Sequence, residues 1–182
     1  MLPIWQGSLA QKLRQPQRNE RLGPPRTCLL GVGHDLCTDD AAGLLVARAL
    51  SADARLNPVS DLLILEGGPA PENQTGRIRA FQPELVLIVD AVHLQTRPGD
   101  IQWIPLDAID GFSASSHSLP LSILAQFLQA ELNCEVAVLG IQPESNVFIG
   151  ELSDPVQAAI DQIVTTIRDF FIPLPEPRLN QQ

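Results

Sequence analysis

A chain of 182 residues that is 45% apolar and 18% charged has enough material for one domain with a sizeable core and is too apolar to stay disordered. No apolar run approaches the ~20 residues that a membrane span needs, and a net charge of −9 argues against nucleic acid as a partner. The charge is uneven: residues 1–27 carry a net +4, from Lys12, Arg14, Arg18, Arg21 and Arg26 against Glu20, which leaves −13 for the remainder.

Residues 1–26 lack the continuous apolar core of a signal peptide and read as a flexible basic arm ending at Gly23-Pro24-Pro25. Thr27 to Leu30 then reads as a short buried strand. It leads into Gly31-Val32-Gly33-His34-Asp35-Leu36-Cys37-Thr38-Asp39-Asp40-Ala41-Ala42-Gly43, the stretch around which the chain is organised. Gly31 and Gly33 permit a sharp turn, and a helix is predicted over Leu44 to Leu50. Asp39 and Asp40 fall where that helix begins, so local spacing alone makes Asp39 a cap and Asp40 an ordinary first-turn acid.

Asn57-Pro58 signals a turn, and Val59 to Leu65 is a second apolar run. The Gly- and Pro-rich segment Glu66 to Asn73 reads as a loop, with Thr75 placed to cap a short helix through Phe81. Leu85 to Val89 is the most continuous apolar run, as suits a central strand buried on both faces, and it ends in Asp90-Ala91-Val92-His93. Arg97 to Asp100 is a turn, and the alternation Ile101-Gln102-Trp103-Ile104 predicts a half-buried edge strand. A Ser-rich loop, Gly111 to Ser118, precedes Pro120 and a helix from Leu121 to Leu132 with apolar residues at 121, 124, 125, 128 and 132. Val136 to Ile141 is a further buried strand, stopped at Gln142-Pro143. Ser153-Asp154-Pro155 opens a last amphipathic helix reaching about Phe171, and residues 174–182 form a Pro-rich tail. Strands alternating with helices predict an α/β fold in three layers, a twisted and mostly parallel sheet with helices on both faces, as one domain over 27–173.

In such a sheet ligands sit beyond the carboxyl ends of the strands. Acids mark three of those ends: Asp39 and Asp40 after the first strand, Glu66 at the second, and Asp90 at the long apolar run. Burying an unpaired carboxylate is costly, which favours a functional reason for Asp90. Asp40, Asp90 and His117 would meet at one edge, and one imidazole with two carboxylates suits a first-row divalent metal while leaving positions open for another molecule. Other motifs fail: Leu36 breaks G-x-G-x-x-G, no Walker A or H-E-x-x-H sequence occurs, and Gly111 to Ser115 is one glycine short of G-x-S-x-G. Cys37, in a loop beside two acids, makes a poor thiolate nucleophile. Cys28, Cys37 and Cys134 form no C-x-x-C pair and fit a reducing cytoplasm.

Gly31-Val32-Gly33 followed by Asp39-Asp40-Ala41-Ala42-Gly43 resembles the opening motif of the hydrogenase maturation endopeptidases. Val89-Asp90-Ala91 resembles that family's second acidic motif, and Ser115-Ser116-His117-Ser118-Leu119-Pro120 its histidine motif. Ala70-Pro71-Glu72-Asn73 and Gly140-Ile141-Gln142-Pro143 are further matches, so the resemblance covers about residues 27 to 170 and is closest to the formate-hydrogenlyase branch. It implies a nickel-dependent endopeptidase that removes the C-terminal peptide of a nickel–iron hydrogenase large-subunit precursor after metal insertion. It implies that Asp40, Asp90 and His117 hold the metal, with nickel supplied by the precursor. Gly33, Glu72 and Asn73 are then candidates for gripping the substrate. One departure is His34, where the family usually has Asn. The rival readings are a non-enzymatic nickel chaperone of the same large subunit and an inactive relative that only binds the precursor.

Overall fold

The computed structural model describes residues 3–14, 23–111 and 120–172. Five strands form one sheet: β1 Thr27–Val32, β2 Leu62–Gly68, β3 Leu85–Ala91, β4 Ile101–Pro105 and β5 Glu135–Ile141, in the order β2-β1-β3-β5-β4. The pairs β1–β2, β1–β3 and β3–β5 are parallel, and β4 joins β5 antiparallel as an edge strand. The long apolar run therefore becomes the middle of the sheet, and every residue of β3 is buried. Among the described residues five α-helices accompany it: α1 Ile4–Leu13, α2 Ala42–Ser51, α3 Thr75–Phe81, α4 Leu121–Leu132 and α5 Asp154–Phe171.

Alternation along β3 divides the core in two. Leu85, Leu87 and Val89 pack with residues of α1, α2 and α5 on one face. Val86 and Ile88 pack with Ile78 of α3 and Leu121, Leu124 and Leu128 of α4 on the other. The three-layer, mostly parallel α/β arrangement is the one expected from the alternating strand and helix signals. No helix among the described residues is long and apolar enough to cross a membrane.

The expected flexible arm over 1–26 needs correction where it is described, because residues 4–13 are helical and packed. Trp5, Leu9 and Leu13 are buried in the α2–α5 core. The Gln6 side-chain amide donates to Thr166 Oγ1 of α5 at 3.1 Å, and Lys12 pairs with Glu135 at the start of β5. The three buried residues recur every fourth position, a stripe one side chain wide, and its partners are all distant in sequence. Residues 173–182, which include the Pro-rich tail, lie outside the described residues.

Smaller departures have local causes. The second strand starts at Leu62 rather than Val59 and runs through Gly68 into what was expected to be loop. Pro71–Gln74 is a 3-10 turn leading directly into α3, so Thr75 lies inside helical structure and its hydroxyl donates back to Glu72 O at 2.9 Å instead of capping forward.

Two outcomes follow from this packing. Leu9→Ala should lower the unfolding free energy by about 2–5 kcal/mol in urea titrations, as for other buried leucines, whereas a solvated arm would give no change. Burial, with Cys134 adding to it, pushes the Cys28 thiol up to about 12. Iodoacetamide at pH 8 should accordingly leave Cys28 unmodified in the folded protein and alkylate it in urea, as peptide mapping would show.

Candidate active site

The carboxyl edge of the sheet is shaped by two glycines that let backbone approach backbone. A methyl group on Gly43 would stand 1.9 Å from Val89 O and 2.4 Å from Val32 O. Only glycine seats the start of α2 this tightly on the ends of β1 and β3. Gly33 has φ +143°, and a methyl group there would stand 2.0 Å from Asp40 O. Its N–H donates to Gly68 O at 3.2 Å, so the turn leaving β1 is closed between β2 and Asp40.

Asp40 lies in the 3-10 turn Asp39–Ala41 that enters α2, and only 3% of it is exposed. Asp90 is the penultimate residue of β3 and is completely buried. The register Gly31↔Val89 sets the end of β1 beside Asp90. The structure therefore brings two of the expected site acids to one edge, Asp90 near the end of β3 and Asp40 in the turn packed against that strand. Two buried carboxylates there create a field that favours a cation. His117 lies outside the described residues. Among the described residues, no group of three His, Cys, Asp or Glu side chains is placed to hold a metal ion. Asp40 and Asp90 carry hard oxygen donors, fewer than a metal shell needs, a set that would suit a first-row divalent metal only if another molecule shared it. α4 hands over to β5 within two residues, so it runs back against the strands and starts near the same edge.

Asp39 has a different task from the expected helix cap. No side chain caps this turn. The Asp39 carboxylate, fully buried, accepts the N–H groups of Glu144, Ser145 and Ser153 at 2.8, 2.9 and 2.9 Å and the Ser153 hydroxyl at 3.0 Å. Thr38 Oγ1 donates to Ser145 O at 2.7 Å. The loop after β5 is thus stitched across the sheet edge to the loop after β1. Gln142 does similar work for the loop after β3, its side-chain carbonyl accepting Leu94 N–H at 2.7 Å. Neither role was legible beforehand, because each joins segments separated by some 50 to 115 residues.

The other candidates sort cleanly. Glu66 turns to solvent and pairs with Arg48 Nε at 2.9 Å, so it leaves the acid cluster. Arg48 also grips Asp35, its Nη2 at 2.9 Å from Oδ2. His34 Nδ1 accepts Leu36 N–H at 3.1 Å, which ties the ring into its own turn. Glu72 and Asn73 lie in the 3-10 turn after β2, on the same edge, with Glu72 half-buried and Asn73 exposed. The Cys37 backbone pairs with Phe148.

A family model described as hydrogenase maturation protease matches residues 45–169. The hydrogenase 3 maturation protease of Escherichia coli K12 is 35% identical over 136 residues, covering 74% of this chain and 84% of that protein. The crystal structure of the hydrogenase maturation protease HycI from Thermococcus kodakarensis superposes with a TM-score of 0.72 at 33% identity, covering 81% of this chain and 92% of that one. The solution structure of the Escherichia coli endopeptidase HycI gives 0.64 at 32% identity, covering 76% and 86%.

Removing the Asp39 carboxylate would strand several partly buried donors, so Asp39→Ala should cost about 3 kcal/mol or more in urea unfolding. The Arg48 guanidinium hydrogen-bonded to Asp35 holds that carboxyl below the ordinary carboxylate range. A lowered folded-state value stabilises above the unfolded pKa and is lost as pH falls through the folded one. Asp35→Asn should therefore flatten the acid side of the stability curve below about pH 4. At pH 7 its cost should stay under about 1 kcal/mol, since both partners are about half exposed.

Proposed function

The chain belongs to the hydrogenase maturation protease family and is a peptidase, and we propose that it removes the C-terminal peptide of a nickel–iron hydrogenase large-subunit precursor once nickel has been inserted. The observation that carries this reading is the pair of buried acids at one sheet edge, Asp90 near the end of β3 and Asp40 in the turn that the close seating of α2 holds against it. In this reading His117 completes their donor set.

Nickel enters as part of the substrate. Carboxylates and one imidazole do not select nickel strongly, so the softer ligands come from thiolates of the precursor, and the metal bridges the two proteins. The bound metal supplies polarisation of a carbonyl or a water. Asp40 and Asp90 fix its position from buried, inflexible backbone, and that position aligns the scissile bond. Gly33, Glu72 and Asn73, along the same edge toward β2, hold the precursor chain. We place this reaction in the cytoplasm, where Cys28, Cys37 and Cys134 stay reduced.

The test is intact-mass measurement after incubating the protein with apo or nickel-loaded precursor, with and without a chelator wash of the protein alone. Only the loaded precursor should shorten, and the wash should not matter. Cleavage of apo precursor, or loss of activity on washing, would point to a conventional metalloprotease. A nickel chaperone would bind the precursor and leave its mass intact. Asp40→Asn and Asp90→Asn should each slow cleavage by about 100-fold or more while keeping the parent's circular dichroism and melting temperature. Lost stability with retained cleavage would remove that residue from the site.

A further inference from the structure

The two loops stitched together by Asp39 end in an apolar surface that the chemistry above does not use. Leu36, Val147, Phe148 and Ile149 are 51%, 59%, 60% and 72% exposed. They stand on two antiparallel backbone segments. Cys37 pairs with Phe148, Ile149 N–H donates to Leu36 O at 2.7 Å, and Thr38 N–H donates to Val147 O at 3.1 Å. Folding gains nothing by turning four large apolar side chains into water as one patch. Ile149 also sits at φ +60°, a conformation that a β-branched residue rarely adopts. Strain held in an exposed apolar loop beside a reactive site is the pattern of a ligand clamp.

We propose that this lip docks the large-subunit precursor, taking an extended segment that presents apolar side chains flanked by basic ones. The proposal rests on the protease reading and deepens it by naming what the enzyme grips. Charge selects the occupant. The exposed acids Glu144 and Glu151 flank the lip, and the chain beyond residue 27 carries −13. Two copies docking lip to lip would bring like charges together, and an anionic lipid surface would be repelled. Position selects it too. Leu36 is four residues from Asp40 along a turn closed by Gly33, so a chain lying on the lip is delivered to the carboxylate edge. Phe148 and Ile149 supply the anchors, and the acid rim sets orientation and encounter rate.

Two variants separate docking from folding. Phe148→Ser removes an exposed ring, and Ile149→Gly removes a side chain from a conformation that suits glycine. Each should melt within a few degrees of the parent, Ile149→Gly at or above it. With nickel-loaded precursor, each should raise KM about tenfold or more, with kcat falling less than about twofold. The pair Glu144→Gln and Glu151→Gln should flatten the dependence of KM on salt. Precursor binding, measured by calorimetry beside cleavage, keeps the two readings apart. If the parent cleaves and the lip variants keep its KM, docking at the lip is overturned and the protease reading stands. If the parent binds without cleaving and the variants lose binding, docking stands and the protease reading falls. If the parent does not bind the precursor, docking is overturned. A parent that sediments as a dimer, with lip variants that become monomers at unchanged KM, would give the surface to a second copy and also overturn it.

Discussion

The close seat of α2 on the ends of β1 and β3 is the constraint on which the rest of the edge depends. At Gly43 main chain meets main chain, with no room for a methyl group against Val89 O or Val32 O. Glycine is costly inside a helix because it gives up backbone entropy. The geometry it permits places the turn carrying Asp39 and Asp40 against the strands rather than a side chain's width away. Gly33 repeats the device one turn earlier, against Asp40 O. Buried carboxylates on flexible backbone would retreat toward water. On backbone clamped this way they stay in place, which is what a site made from few donors requires.

Neighbouring identical side chains then do opposite work. The Asp39 carboxylate is consumed by four donors from the loop after β5. Asp40 belongs to the edge shared with Asp90. The first acid fixes where the lip stands relative to the second, so the support of the proposed docking lip and the proposed metal-binding acid are adjacent residues of one turn. Arg48 braces this unit from outside, gripping Asp35 of the β1 loop and Glu66 of β2 in one fork. Such exposed pairs add little to overall stability. Their effect is to limit how far the loop can swing.

Much of the fold was legible because its signals are local. The run Leu85 to Val89 could only be a two-sided buried strand, the alternation at Ile101 to Ile104 an edge, and the spacing in Leu121 to Leu132 a helix. The helix α1 was missed because its stripe is a single residue wide and acquires meaning only against β4 and α5, which begin 88 or more residues downstream. Asp40 and Asp90 were singled out through their place beyond strand ends, and both are buried at that edge. Asp39 was misjudged because a carboxylate at a helix start looks the same whether it caps its own amides or reaches those of Ser145 and Ser153. Glu66, also at a strand end, turns to solvent, and Arg48 makes that outward turn favourable.

The meeting of α1 with α5 has a consequence for the order in which the chain can fold. Gln6 and Thr166 are hydrogen-bonded across 160 positions, and Trp5, Leu9 and Leu13 share one core with Ile160, Ile163 and Ile167. During synthesis the first helix emerges with an apolar stripe and nothing to lay it on until β4 and then α5 have followed. The sheet's parallel pairs likewise join segments far apart in sequence. The last layer to close is therefore the one that joins both ends of the described chain. Until it closes, the nascent domain carries a half-covered sheet, the kind of species that chaperones hold.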